Sequence, residues 1–123
     1  MRNLKWIGLL TIAMVFGFAL PALSHHSHAM FDHTKDITVS GTVTQWLLRN
    51  PHAFLYIDIK NEKGELVNYS IEMSNIPNMI TRGINQSTFK VGDKVTATVH
   101  PLKDGRAGGN YVTIVAADGK TYE

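Results

Sequence analysis

Residues 52 to 60, HAFLYIDIK, alternate without a break. Ala53, Leu55, Ile57 and Ile59 fall on one parity, and His52, Phe54, Tyr56, Asp58 and Lys60 on the other. A period of two marks a strand with one face in a core and one outside. ELVNYSIEM, residues 65 to 73, repeats it, with Val67, Tyr69, Ile71 and Met73 on one face and Leu66, Asn68, Ser70 and Glu72 on the other. NEKG at 61–64 is turn chemistry, so the two stretches are expected to pair as a hairpin. Upstream, DITVSGTVTQWLL at 36–48 places Ile37, Val39 and Val43 on one parity and predicts a first strand. Trp46 has the opposite parity, so it either faces outward or is brought back by a bulge.

After Met73 the period changes. Within NIPNMITRGINQSTFK, residues 75–90, the apolar positions Ile76, Met79, Ile80, Ile84 and Phe89 no longer alternate. Pro77 opens a short helix near Asn75, and Gly83 closes it. VGDKVTATVHP at 91–101 predicts a fourth strand with Val95, Ala97 and Val99 inward and His100 outward. KDGRAGGN at 103–110 reads as a Gly-rich connection, and YVTIVAA at 111–117 as a fifth strand ending at Asp118-Gly119. Three strands, a short helix and two strands is the order of the OB-fold. The expected fold is therefore mainly β: a small five-stranded OB-like β-barrel with one short helix between strands 3 and 4. A five-stranded sandwich of other topology is the alternative.

The chain opens differently. Arg2 and Lys5 precede an uncharged apolar run, Trp6 to Leu20, which Pro21 breaks before Ala22-Leu23-Ser24. That is the layout of a signal peptide, expected over 1–24 with cleavage after Ser24, or after Ala22 as the alternative. A single membrane anchor is the rival reading, since Trp6 to Leu23 is at the short end of the ~17–25 residues that span a bilayer. The protein is thus expected to be periplasmic or secreted, with membrane attachment only through an uncleaved leader. A His-rich segment would follow at 25–35 and the barrel domain at 36–123.

Removing the leader changes the charge balance. The chain has 12 Lys+Arg against 10 Asp+Glu, and loss of Arg2 and Lys5 leaves 10 against 10. No broad basic surface for nucleic acid is implied. There is no cysteine, so disulfides and thiolate metal sites are excluded. Catalytic signatures are absent too: no G-x-S-x-G elbow occurs, and GRAGG at 105–109 lacks the ending of a phosphate loop.

Histidine is where chemistry concentrates. ALSHHSHAMFDH, residues 22–33, holds four of the six histidines. An N-terminal His25 would offer its amine and ring Nδ1 to one metal ion, and a third nitrogen would complete a planar arrangement suited to Cu(II). That arrangement resembles the histidine brace of copper monooxygenases. Cleavage one residue later would make His26-Ser27-His28 an X-X-His chelator instead. The bland alternative is a solvated tail that binds copper or nickel weakly. His52 is the natural partner within the barrel. A three-residue hairpin loop sets it opposite Glu72, and a five-residue loop sets it opposite Ser74, diagonal to Glu72. Either way a carboxylate stands ready to orient the imidazole. Asn50, before Pro51, constrains the approach to His52. His28 and His100 are further candidate ligands, and His33 reads as a solvated histidine. Trp46, Phe54 and Tyr56 would form an outer aromatic face for a peptide, glycan or protein.

Several of these residues also carry a resemblance. His25-His26-Ser27, Phe31-Asp32, Gly41, Asn50-Pro51-His52, Glu72, Pro77-Asn78, Arg82-Gly83, Gly92-Asp93, Pro101 and Asp104-Gly105 together resemble a bacterial family of small exported proteins, the domain of unknown function 6152. Its members begin their mature part with His-His-Ser, which implies cleavage after Ser24 here. Many carry a Trp after Asn-Pro-His, where this chain has Phe54. FKVGDKVTATV at 89–99 is also similar to the fourth-strand entry of periplasmic OB-fold copper and silver chaperones. Those bind Cu(I) with a tight Trp-x-x-Met-x-Met cluster, which this chain lacks despite Trp46, Met73 and Met79.

The reading is an exported OB-like barrel that binds a transition metal, Cu(II) before zinc or nickel, through His25, His26 and His52. The alternative is a metal-free envelope binding module. A copper-dependent oxidase comes third.

Overall fold

Five alternating strands hide all their inward faces together only if the sheet curls until it closes. The computed structural model describes residues 28–123, and there the sheet does close. The strands are β1 (Ile37–Leu47), β2 (Phe54–Lys60), β3 (Leu66–Glu72), β4 (Lys94–Pro101) and β5 (Gly108–Val115), with helix α1 (Ile76–Thr81) between β3 and β4. Neighbours run antiparallel in the order β3-β2-β1-β4-β5, and a parallel pairing of β3 with β5 from Ser70↔Gly108 to Glu72↔Asn110 seals the barrel. This is the OB-like barrel with its single short helix. A two-residue strand, β6 (Thr121–Tyr122), folds back on the end of β5 beyond Asp118-Gly119, where the hydrophobic pattern gave no warning of it.

Strand β1 serves two partners, pairing with β4 through its first half and β2 through its second. Such a strand must bend, and at the bend β2 passes close: a Cβ on Gly41 would overlap the Asp58 carbonyl oxygen. A bulge follows. Val43 pairs with Ile57 but Gln45 with Tyr56, leaving Thr44 as the extra residue. The slip reverses the parity downstream, so Trp46 lies opposite Leu55 and points inward, only 8% exposed. Its ring meets Phe89 edge-on at 5.0 Å, and its Nε1 donates to the Asn85 carbonyl at 3.2 Å. The outer aromatic face therefore lacks Trp46.

The β2–β3 hairpin takes the five-residue loop, with Lys60 opposite Leu66. Asn61 fixes that loop by accepting the N–H groups of Lys63 and Glu65 on its side-chain oxygen, at 2.9 and 3.0 Å. The inward parity is as read: Ala53, Leu55, Ile57, Ile71, Met73, Ala97 and Val99 are almost wholly buried. Each large apolar side chain so enclosed contributes about 1.5–3 kcal/mol, so a core of this size holds without a disulfide.

Asn75 caps α1, its side chain accepting the Asn78 N–H at 2.9 Å, and Gly83 leaves the helix at φ 81°. Strand β5 starts earlier than expected, because Gly108 and Gly109 are ladder residues rather than loop. A Cβ on Gly109 would come within 2.6 Å of Val99 Cγ2, so only glycine lets β5 lie between β3 and β4.

Candidate functional site: an imidazole–carboxylate pair under the N-terminal segment

The segment preceding β1 is packed onto the barrel. A 3-10 turn at His28–Met30 leads to Phe31, which bridges to Leu102. Asp32 N–H donates to the Pro101 carbonyl at 2.8 Å, and Lys103 N–H donates to the Met30 carbonyl at 2.9 Å. Phe31 is 3% exposed. Thr34 closes the segment by donating its N–H and hydroxyl to Asp32 at 3.1 and 2.5 Å. Those two bonds, hydroxyl first, hold the Asp32 carboxyl below the usual aspartate range.

Phe31 ends in a pocket of about 220 Å³ that also contains His52, Glu72, Ser74, Arg82, Asn110 and Tyr111. Glu72 belongs to the outward parity of β3 yet is only 8% exposed, the one buried charged side chain among the described residues. It also borders a second hollow, with Phe31, Phe54 and Leu102. The carboxylate is thus outside the barrel but inside the protein, covered by residues from β2 and the N-terminal segment. Asn110, paired with Glu72 across the sealing ladder, donates from Nδ2 to the Glu72 carbonyl at 3.2 Å.

His52 lies just before β2, where main-chain pairing continues through Ala53 N–H to the Ser74 carbonyl and Met73 N–H to the Ala53 carbonyl. It is thereby diagonal to Glu72, as the five-residue loop requires. Its Nδ1 stands 3.2 Å from the Met73 carbonyl and 3.4 Å from Glu72 Oε1. A carbonyl only accepts, so a hydrogen bond there puts the proton on Nδ1 and leaves the Nε2 lone pair for a ligand. The ring is about one-third exposed while the carboxylate behind it is 10% exposed.

A second pair has the same local design. His100, on β4, places Nδ1 3.0 Å from the Lys35 carbonyl and 3.0 Å from Asp36 Oδ1. His33 is exposed, as expected of a solvated histidine, and its ring meets the His100 ring edge-on at a centroid distance of 4.7 Å. His100 pairs with Asn110, which pairs with Glu72. Two strand spacings, about 10 Å, therefore separate His100 from Glu72. Among the described residues, no group of three His, Asp or Glu side chains converges on one point.

The remaining candidates are placed as follows. Phe54 and Tyr56 stack on the outside of β2 with centroids 6.0 Å apart, and Arg49 lies over Phe54 at 5.3 Å. Asn50 uses its side-chain oxygen to accept the Ile76 N–H at 2.8 Å, so it holds the start of α1 rather than the His52 ring. His25 and His26 lie outside the described residues, as does the leader. His28 is placed by its backbone in the 3-10 turn. Periodicity gave no sign of Phe31, Arg82 or Tyr111. Arg82 comes from the C-cap of α1, its guanidinium 5.6 Å from the Tyr111 ring centroid and its Nη1 donating to Tyr111 Oη at 3.2 Å. A wider groove of about 490 Å³, lined by Ser40, Thr42, Asp58, Lys60 and Lys94 among others, contains no histidine. No helix among the described residues is long and apolar enough to cross a membrane.

Fold and pocket together define a small OB-like barrel carrying a buried-carboxylate imidazole site at its N-terminal segment. The chain belongs to the family of unknown function DUF6152, whose profile matches residues 13–111. No curated protein and no solved structure matches the chain. Neither comparison shows the likeness to copper and silver chaperones.

Proposed function

We propose that this protein is an exported metal-binding barrel, with Cu(II) the favoured ion, and that His52 Nε2 is its barrel-borne ligand. The observation that carries the reading is the docking of Phe31 beside His52 and Glu72. It ties the chain just after the histidine cluster to the pocket with an oriented imidazole. A chain extends at most ~3.3–3.6 Å per residue, so His26, five residues before Phe31, stays within about 18 Å of it. His25 and His26 would supply the other nitrogens, with His28 in reserve. The described residues alone do not complete a metal site, so the binding depends on that segment. Glu72 and the Met73 carbonyl hold the ring behind the metal, a role whose loss typically costs 10–100-fold in affinity.

The test is a Cu(II) and Zn(II) titration of protein whose N-terminus is confirmed as His25 by mass spectrometry. One-to-one Cu(II) binding is expected. It should weaken about a hundredfold in His52→Ala, on the order of 2.7 kcal/mol, and fall off below about pH 6 as imidazoles protonate. Weak binding that His52→Ala leaves unchanged overturns the reading. The stacked Phe54–Tyr56 pair favours a second one, a metal-free module that holds an envelope partner on the outside of β2. There Tyr56→Ala would abolish partner binding and added metal would change nothing.

A further inference from the structure

Glu72 is a buried charge whose neighbours direct their donors elsewhere. Its side chain is only 10% exposed, and its one close donor is His52 Nδ1, 3.4 Å from Oε1. The Met73 carbonyl, at 3.2 Å, competes for that same proton. Among the described residues no lysine or arginine pairs with the carboxylate. Asn110 donates to the Glu72 main-chain carbonyl, Arg106 donates from Nε to Asp104 at 2.7 Å, and Arg82 donates to Tyr111 Oη. A carboxylate has about four acceptor sites, and covering one with so few of them filled costs free energy. No side-chain oxygen among the described residues is sealed from solvent without a partner, so the Glu72 oxygens open into the hollows beside them.

The hollow on the Phe54 side shows what chemistry would meet that carboxylate. It has a volume of about 280 Å³, and Met30, Phe31, Phe54 and Leu102 supply most of its apolar wall. Arg106 borders it as well, with its charge balanced by Asp104. Apolar walls around a covered carboxylate complement a positive head on an aliphatic stem. The stem removes Leu102 and Met30 from water, and the Phe31 and Phe54 rings attract a cation to their faces. At about 30 Å³ per water-sized group, the hollow takes a stem of four carbons, its head and some solvent. We infer that this hollow binds an aliphatic primary ammonium group, with Glu72 as its counter-ion. The inference needs no metal and goes beyond the metal-binding reading above. Free alkylamines carry such a group, and so does a lysine side chain of a partner protein.

The experiment titrates the protein, its N-terminus read by mass spectrometry, with n-butylammonium chloride at neutral pH and constant ionic strength. Binding is followed by NMR with a metal chelator present, so the outcome is independent of whether the protein binds copper. Butylammonium should bind with a Kd of about a millimolar and shift the Phe54, Leu102 and Ala107 amides. n-Butanol, the same stem without the charge, should bind about tenfold more weakly, and Glu72→Gln should weaken butylammonium by about the same factor. Ala107→Met fills the hollow and leaves the carboxylate in place, and it should also abolish the shifts. Unfolding midpoints establish that both variants fold. Shifts of the same amides by N-acetyl-lysine methylamide support the site and assign it to a partner's lysine; shifts by butylammonium alone support it and assign it to free amines. No binding of butylammonium, equal binding of butanol, or binding unchanged in either variant overturns the inference.

Discussion

His52 and His100 are held in nearly the same way and placed in opposite surroundings. Each ring has Nδ1 beside a main-chain carbonyl and a carboxylate, Met73 and Glu72 in one case, Lys35 and Asp36 in the other. At His52 the ring is the more open partner and the carboxylate is 10% exposed. At His100 the order is reversed, with the carboxylate 60% exposed. An exposed acid is screened by water, and such pairs contribute about 0–1 kcal/mol. A covered acid keeps its field and its geometry, because little solvent competes for its oxygens. The same dyad is therefore a surface clasp in one place and an imidazole oriented by a covered carboxylate in the other. What separates them is the cover, and the cover includes Phe31.

Removing that cover is the strongest way to erase the difference. Phe31→Ala takes a buried ring from the junction between the N-terminal segment and the β4–β5 connection. It should cost about 3 kcal/mol in urea unfolding and leave Glu72 as open to solvent as Asp36. If stability changes by only a few tenths, Phe31 does not hold the segment down. Gly109→Ala acts on the other side of the comparison. Its Cβ would press on Val99 Cγ2 and, at 2.8 Å, on the His100 carbonyl. A loss of about 1–3 kcal/mol is expected from such overpacking, with NMR shifts centred on His100 and small at His52. Shifts of equal size at both rings would show that the two pairs are mechanically coupled.

Exchanging the carboxylates sharpens the contrast further. Glu72→Gln should weaken Cu(II) binding about tenfold, whereas Asp36→Asn should leave it within about twofold and cost under about 1 kcal/mol of stability. Equal effects on copper would mean that both histidines serve one site. The smallest effect is a pH signature of the segment itself. Asp32 is held below its ordinary value first by the Thr34 hydroxyl, then by the Thr34 N–H. A lowered folded value stabilises the native state above the unfolded aspartate's value, about 3.9, and loses that contribution as pH falls through the lower folded value. The difference in unfolding midpoint between wild type and Thr34→Val should therefore be present at pH 7 and shrink by pH 2. A pH-independent difference would point to packing of the threonine methyl instead.

Parity explains how much of this was legible beforehand. A period of two is a local property of the chain, so the inward faces of residues 53–59, 67–73 and 95–99 follow from the sequence. So does the placement of His52 and Glu72 on one side of the hairpin, since either loop length leaves them opposite or diagonal. Pro77 and Gly83 bound the helix for equally local reasons, a fixed φ at one end and a positive φ at the other. The family resemblance was legible too, in the same residues that the profile match covers.

Tertiary structure decided the rest, because burial depends on what arrives from elsewhere in the chain. Thr44 becomes a bulge only when β1 must leave β4 and follow β2, and that slip alone turns Trp46 inward. Asn61 selects the five-residue loop through hydrogen bonds that exist only once the hairpin turns. Glu72 reads as an outward residue by its parity, yet it is buried and shares its pockets with Phe31, some forty residues upstream, which the end of β4 and the β4–β5 connection hold in place. Arg82 reaches the pocket from the end of a helix whose position relative to β3 no local pattern encodes. The alternation of side chains fixes which face each residue takes; long-range contacts alone determine which outward residues end up away from water.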